Sequence, residues 1–179
     1  MLSKERTLLI VTDIQGKLAS LMFQRDELYR QIGIIVEGIK ALDIPILWIE
    51  QYPRGLGPTV PEVASHLEGY EPLSKKTFSS LRDPWISKRF SEIGCDQVIL
   101  VGIETHICIH QTAMDLLSLG IEVQVAADAV SSRTESNKRI GLEKMVNAGV
   151  IITSVETVLF ELLEIAEGEA FKKIVKLVK

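Results

Sequence analysis

The sequence predicts an α/β fold in which helices cover both faces of a parallel β-sheet. Strand-like apolar runs and amphipathic helical segments alternate about six times along the 179 residues. This alternation is typical of parallel strands joined by right-handed helical crossovers. The runs at 7–12 and 97–103 are almost wholly apolar, as strands buried on both faces are. The length fits a single domain spanning residues 1–179.

The first half of the chain is divided by its apolar runs and its glycines and prolines. Apolar residues recur every three or four positions over 25–42, which favours a helix. Pro45 begins a strand-like run, a position where proline is tolerated. The elements predicted here are strands at 7–13, 45–50 and 72–74, helices at 25–42 and 61–66, and a loop at 51–60.

The second half carries clearer start and stop signals. Asp83 and Pro84 are typical of a helix N-cap and first turn, and Gly120 and Gly149 are typical of helix ends. Ser154 is a candidate cap for the helix that follows it. The elements predicted here are strands at 97–103, 121–127 and 150–153, and helices at 83–93, 107–119, 134–148, after 154 and at 169–179.

Composition excludes several function classes. The formal net charge is −4 and the isoelectric point is near 5.5, which argues against a nucleic-acid partner and an anionic membrane surface. No apolar run is long enough to span a bilayer. The chain has only two cysteines, Cys95 and Cys108, fewer than a small secreted disulfide scaffold would carry. We therefore expect a reduced, cytoplasmic setting.

Candidate chemistry lies where the predicted strands end, because ligands of such sheets bind outside the carboxyl ends of the strands. Asp13 ends the first strand, Lys75 and Lys76 follow the weak third strand, and Asp128 closes a later one. Residues 104–108, Glu-Thr-His-Ile-Cys, follow the strand at 97–103. A carboxylate, an amine and a thiol are thus expected at one edge of the sheet.

Cys108 is the candidate nucleophile. It falls in the first turn of the helix predicted at 107–119, where free N–H groups and the helix dipole favour a thiolate. A nearby lysine would favour the thiolate further. Asp13 could take the thiol proton during attack as a general base, and free N–H groups of residues 103–108 could hold an oxyanion. The alternative for Cys108 is a small buried hydrophobic residue.

Three segments together resemble the isochorismatase-like cysteine hydrolases. They are residues 11–15 (Val-Thr-Asp-Ile-Gln), 75–79 (Lys-Lys-Thr-Phe-Ser) and 102–108 (Gly-Ile-Glu-Thr-His-Ile-Cys). The turn at 131–133 also fits, and residues 50–62 resemble the isochorismatase domain-containing branch. The resemblance runs over nearly the whole chain.

The resemblance implies a three-layer, Rossmann-like fold with a six-stranded parallel sheet and an Asp–Lys–Cys triad. Asp13 would be the base and Cys108 the nucleophile. The family lysine precedes an aromatic residue by three positions, which favours Lys75 before Phe78 and leaves Lys76 as the alternative. The resemblance also implies a homo-oligomer and no cofactor.

The resemblance further implies a non-proline cis peptide bond between Ile103 and Glu104. That bond would aim the backbone amides of Glu104 and Cys108 at an oxyanion. The residues expected to line a substrate pocket, each of which could equally be ordinary packing, are Ile14, Gln15, Leu18, Gln51, Tyr52, Leu56, Phe78 and His106.

A metal site is not expected. Nicotinamidases of this superfamily carry an Asp-x-His motif after the second strand, where this chain has Glu50, Gln51 and Tyr52. His106 and His110 have the i, i+4 spacing of a metal pair, but the sequence offers no evident third ligand.

The function expected from these residues is hydrolysis of a small amide or related acyl compound through a thioester. Two alternatives stay open at this point. One is cleavage of a vinyl ether, as in isochorismatase itself, and the other is a binding or scaffold protein that has lost turnover.

Overall fold

The computed structural model describes residues 1–179 and contains one six-stranded parallel sheet. The strands are β1 (Thr7–Thr12), β2 (Ile46–Gln51), β3 (Leu73–Lys75), β4 (Gln97–Ile103), β5 (Glu122–Ser131) and β6 (Ile151–Thr153). Their order across the sheet is β3-β2-β1-β4-β5-β6. The predicted three-layer α/β fold with a six-stranded parallel sheet is therefore confirmed.

The α-helices alternate with these strands. They are α1 (Gly16–Ser20), α2 (Arg25–Ala41), α3 (Pro53–Leu56), α4 (Pro61–Ala64), α5 (Pro84–Ile93), α6 (His110–Ser118), α7 (Glu135–Ala148), α8 (Val155–Leu163) and α9 (Gly168–Val178). Short 3₁₀ turns cover Ser65–Leu67 and Ser80–Arg82. No helix combines the length and the apolar character needed to cross a membrane.

The sheet separates two hydrophobic cores. Leu9 and Val11 of β1 belong to the core shared with α2, α8 and α9. Leu8 and Ile10 belong to the core under α5, α6 and α7. Successive side chains of a strand point to opposite faces, so a central strand between two helical layers must be apolar at every position. This requirement explains why β1 and β4 are continuous apolar runs.

Helix termini follow the predicted capping chemistry. The Asp83 carboxylate accepts hydrogen bonds from the N–H groups of Trp85 and Ile86 at the start of α5. Ser154 accepts one from Thr157 at the start of α8. Gly149 ends α7 in the left-handed conformation with φ of 101°, which glycine adopts without steric cost.

The predicted end of the strand at 121–127 was wrong because long-range pairing decides it. The strand predicted at 121–127 continues to Ser131, since Val130 and Ser131 still pair with Gly102 and Ile103 of β4. Asp128 therefore lies within β5 instead of closing it. Its carboxylate accepts from the N–H of Val155 at 3.0 Å.

The helix predicted at 107–119 begins two residues earlier. Thr105–Ile109 form a π-helical turn that leads directly into α6. The loop predicted at 51–60 contains α3, and α1 was not predicted at all. Both helices are one turn long, too short for apolar periodicity to reveal them.

Two glycines let backbone segments approach closely at the carboxyl end of the sheet. A Cβ at Gly102 would lie 2.0 Å from the carbonyl oxygen of Thr12, so glycine lets the ends of β1 and β4 meet. A Cβ at Gly141 would lie 2.8 Å from the backbone nitrogen of His106. Gly141 therefore lets α7 rest against the π-helical turn.

We expect Gly141→Ala to lower the free energy of unfolding by about 1–3 kcal/mol, because a methyl group there is forced against backbone. Helix propensity alone would make this change stabilising by about 1 kcal/mol, so the sign tests the contact. The exposed Asn147→Ala change on the same helix is the control and should be neutral or slightly stabilising. Urea unfolding with an unchanged slope measures both. A stabilised Gly141→Ala protein would contradict the prediction.

Candidate active site

Asp13 is fixed at the end of β1 by its backbone and by an ion pair. Its N–H donates to the carbonyl of Ile49 in the neighbouring strand at 3.0 Å. Its residue surface is only 3% exposed. The carboxylate oxygen Oδ2 accepts a hydrogen bond from the Nζ of Lys75 at 2.7 Å, and Oδ1 has no hydrogen-bond partner. One carboxylate oxygen of Asp13 is thus bound by the lysine, and the other has no hydrogen-bond partner.

Lys75 is the lysine that reaches Asp13. It is the last residue of β3, and its side chain is fully buried. Its ammonium group also donates to the Oε1 of Gln51 at 2.5 Å. Lys76 is exposed, and its Nζ lies 5.6 Å from the centroid of the Tyr52 ring. Adjacent strand residues point in opposite directions, so only one of the two lysines can face the site.

Cys108 lies in the π-helical turn and is 7% exposed. Burial, together with the charge of Asp13, raises the pKa of its thiol to about 12. The ammonium of Lys75 and a hydrogen bond from the backbone of Glu104 act in the opposite direction but do not compensate. Lys75 therefore favours the thiolate, as expected, but desolvation of the charged sulfur outweighs its effect and that of the hydrogen bond.

Asp13 is affected by the same burial. Desolvation raises the pKa of its carboxyl group, and the charge and hydrogen bond of Lys75 lower it in part. The neighbouring Cys108 thiol also lowers that pKa. The carboxyl group and the thiol are therefore close enough to affect each other's pKa.

The segment between β4 and the π-helical turn is held in place at Glu104. The peptide bond between Ile103 and Glu104 is cis, at the position that the resemblance implies. The buried Glu104 carboxylate accepts hydrogen bonds from the Nε and backbone N–H of Arg133, at 3.1 and 3.2 Å. Its carbonyl accepts from the N–H groups of Ile107 and Ile109. These contacts fix the backbone that precedes Cys108.

Gln15 was expected in the pocket wall, but it is fully buried and binds backbone instead. Its Nε2 donates to the carbonyls of Gln51 at 3.1 Å and Gly57 at 2.7 Å. Its Oε1 accepts from the Gln51 N–H at 2.6 Å. Ile14 is likewise part of the hydrophobic core. Both corrections have the same reason: the chain turns inward after Asp13.

The other expected pocket residues vary in exposure. Leu18 is half-buried and packs against the core, and the Gln51 side chain binds Lys75. The Nδ1 of the half-buried His106 lies 3.0 Å from the Oγ of Ser132. The exposed ones are Tyr52, Leu56 and Phe78.

Sequence reasoning missed two residues that support the site. Arg133 appeared only as part of a matching turn, although it anchors Glu104. The Glu50 carboxylate accepts from both the N–H and the hydroxyl of Thr59 at 2.7 Å, which ties residues 51–60 to the end of β2. The position of Glu50 at a strand end was the only available signal. No group of three or more His, Cys, Asp or Glu side chains is placed to hold a metal ion.

Comparison with known proteins gives one consistent result. A family model described as "Isochorismatase domain" matches residues 7–157. The chain is 39% identical over 176 residues to isochorismatase domain-containing protein 2 of Danio rerio, covering 98% of this chain and 88% of that protein.

Solved structures share the fold over almost the whole chain. A structure described as MAR1 ribonuclease from Caenorhabditis elegans has a TM-score of 0.91 at 34% identity, covering 99% of this chain and 91% of that one. The Escherichia coli YcaC protein, described as an octameric hydrolase of unknown specificity, has a TM-score of 0.91 at 20% identity. That match covers 98% of this chain and 88% of the other, and it concerns the fold alone.

We expect Asp13→Asn to lower the pKa of the Cys108 thiol, because the change removes a negative charge that raises it. Each unit of decrease would increase the thiolate fraction below the pKa about tenfold. The pH dependence of alkylation by iodoacetamide, in a Cys95→Ser background, measures the shift. The exposed Asp26→Asn change is the control. An unchanged or raised pKa in Asp13→Asn would show that the two groups are not coupled.

Proposed function

We propose a hydrolytic function on the premise that this chain belongs to the isochorismatase family. Asp13, Lys75 and Cys108 are proposed as the catalytic triad of a cysteine hydrolase. The observation that carries this proposal is the buried 2.7 Å ion pair between Asp13 and Lys75 beside the Cys108 thiol. Burying two charges is costly unless they are paired and hydrogen-bonded, so a purely structural role would explain this arrangement poorly.

Cys108 is proposed to attack the carbonyl carbon of a small amide. As the new S–C bond forms, the thiol proton moves to the free Oδ1 of Asp13, and the carbonyl π electrons move to oxygen. Collapse of this intermediate breaks the C–N bond, and the proton passes from Asp13 to the departing amine. Water then attacks the thioester with Asp13 again as base, which releases the acid and restores the thiol.

Proton transfer and attack are proposed to occur together. A thiol with a pKa of about 12 is protonated at neutral pH, so an activated thiolate is not the resting form. A base that accepts the proton during attack removes the need for a resting thiolate. The positive charge of Lys75 is proposed to stabilise the negative charge that develops during the attack. The backbone amides of Glu104 and Cys108 are proposed to stabilise the oxyanion.

We propose that the substrate is a small molecule and that the reaction needs no cofactor. We also propose that the protein is a homo-oligomer in the cytoplasm. An oligomer is supported by YcaC, which shares the fold and is described as octameric. A reducing compartment is supported by the two free cysteines.

RNA cleavage is a second candidate, favoured by the description of the C. elegans relative as a ribonuclease. It differs from the expectation of no nucleic-acid partner, which rests on the acidic net charge. Incubation with single-stranded RNA decides between them. Cleavage that Cys108→Ala abolishes would replace the amide proposal, and intact RNA would leave it standing.

We expect Cys108→Ala to lower hydrolysis by at least about 10³-fold, because loss of a nucleophile removes the covalent route. The substrate would come from a screen of small amides. Cys95→Ala is the matched control, since Cys95 is the other buried free thiol and has no contact with the proposed triad. It should retain near-normal turnover.

Mass spectrometry of the intact protein supplies the mechanistic readout. An acyl adduct on Cys108 supports the thioester route. Turnover of a vinyl ether without any adduct would favour isochorismatase-type chemistry. A Cys108→Ala protein with full activity would refute the proposed nucleophile.

A further inference from the structure

A cavity of about 580 Å³ opens beside the proposed triad. It lies at the carboxyl ends of β2 and β3, between α3 and the start of α5. Lys75 itself contributes to its wall. The residues that give the cavity its chemistry are Tyr52, Arg54, Lys76, Thr77, Arg82 and Asp83. We call this feature the cationic cleft.

The charges of the cationic cleft do not cancel. Arg82 is paired with Asp115 through two hydrogen bonds of 2.8 and 3.1 Å. Asp83 is engaged in capping α5. Arg54 and Lys76 have no carboxylate within ion-pair distance. Two unpaired cations therefore line a concave surface of a chain whose net charge is negative.

The cationic cleft and the proposed triad share the end of β3, which carries Lys75. The Tyr52 N–H donates to the Lys75 carbonyl at 2.8 Å, and the Gln51 Nε2 donates to the Lys76 carbonyl at 2.9 Å. Because the Lys75 side chain is fully buried, the cleft meets Lys75 at its backbone. A group bound in the cleft would therefore contact the backbone of Lys75 and leave its ammonium on Asp13.

The wall of the cleft also carries hydrogen-bond donors that suit an anionic group. Arg54 provides a planar guanidinium, which binds carboxylate or phosphate through paired hydrogen bonds. Lys76 provides a mobile ammonium beside the Tyr52 ring. The ring adds a flat apolar surface for the part of a ligand next to its charge.

We propose that the cationic cleft binds a carboxylate or phosphate group of the substrate, at the end remote from the carbonyl that Cys108 attacks. This inference rests on the proposed function for its link to catalysis. It narrows the substrate to an anionic acyl compound, with Arg54 and Lys76 as the binding residues.

Two simple probes test the cleft without knowledge of the substrate. Inorganic phosphate and acetate are titrated into the full-length protein at low ionic strength, and binding is followed by NMR or calorimetry. We expect saturable binding of at least one probe, with a dissociation constant on the order of millimolar. Preference for phosphate or for acetate identifies which anionic group the cleft accepts.

The variants give the decisive comparison. Arg54→Gln with Lys76→Gln should weaken probe binding at least tenfold. Lys17→Gln with Lys144→Gln removes the same charge from exposed lysines elsewhere and should leave binding unchanged. Failure of both probes to bind, or equal loss of binding in both double variants, would overturn the proposal. Stronger binding of single-stranded RNA than of phosphate, lost in the cleft variant, would overturn the assignment to a small molecule.

Failure of the cleft and failure of the hydrolase are separable. Cys108→Ala should bind the probe as tightly as the unsubstituted protein, since Cys108 does not line the cleft. A protein that binds the probes but forms no acyl adduct would support the cleft proposal and refute the hydrolase proposal. A protein that forms the adduct but binds neither probe would refute the cleft proposal and support the hydrolase proposal. With a substrate in hand, the cleft variant should raise KM more than it lowers kcat.

Discussion

The ion pair between Asp13 and Lys75 is the interaction around which the carboxyl end of the sheet is organised. Both side chains are almost completely removed from water. The effective penalty for burying an ion is several kcal/mol even after relaxation, so the surroundings must supply compensating contacts. The 2.7 Å hydrogen bond supplies one, and the Gln51 amide oxygen supplies another to the lysine. The Oδ1 of Asp13 has no hydrogen-bond partner, and it is the atom proposed to accept the thiol proton.

Polar side chains hold the backbone around this pair. Gln15 joins the segment after β1 to the end of β2 and to Gly57. Glu50 fixes the same loop through Thr59, and Glu104 with Arg133 fixes the approach to Cys108. The charges that shift the pKa of the Cys108 thiol are those of Asp13 and Lys75. The pKa of the buried Cys108 thiol is raised, and in the proposed mechanism the thiol reacts only as Asp13 takes its proton.

Much of the architecture could be predicted because it depends on local pattern. A strand between two helical layers has to be apolar at every position, and that requirement is visible in β1 and β4. Capping residues such as Asp83 and Ser154 act within one turn and are equally visible. The extent of β5 was not visible, since its last residues pair with a strand some thirty residues away. The candidate site residues Asp13 and Cys108 were found by their motifs, which also favoured Lys75, whereas excluding Lys76 required the direction of its side chain. The burial of Cys108 could not be predicted from the sequence, and it raises the pKa of the thiol, whereas the sequence favoured a lowered pKa.

The π-helical turn has a consequence for which sequences this site can tolerate. A helix rotates by about 100° for each residue, so the number of residues between Gly102 and α6 sets the direction in which Cys108 points. Loss of one residue from this turn would leave α6 packed in the core and swing the sulfur about a quarter-turn away from Asp13. The spacing of this segment should therefore resist insertions and deletions more strongly than its composition resists substitution. A functional chain of this type can be recognised by a count of positions as well as by its residues.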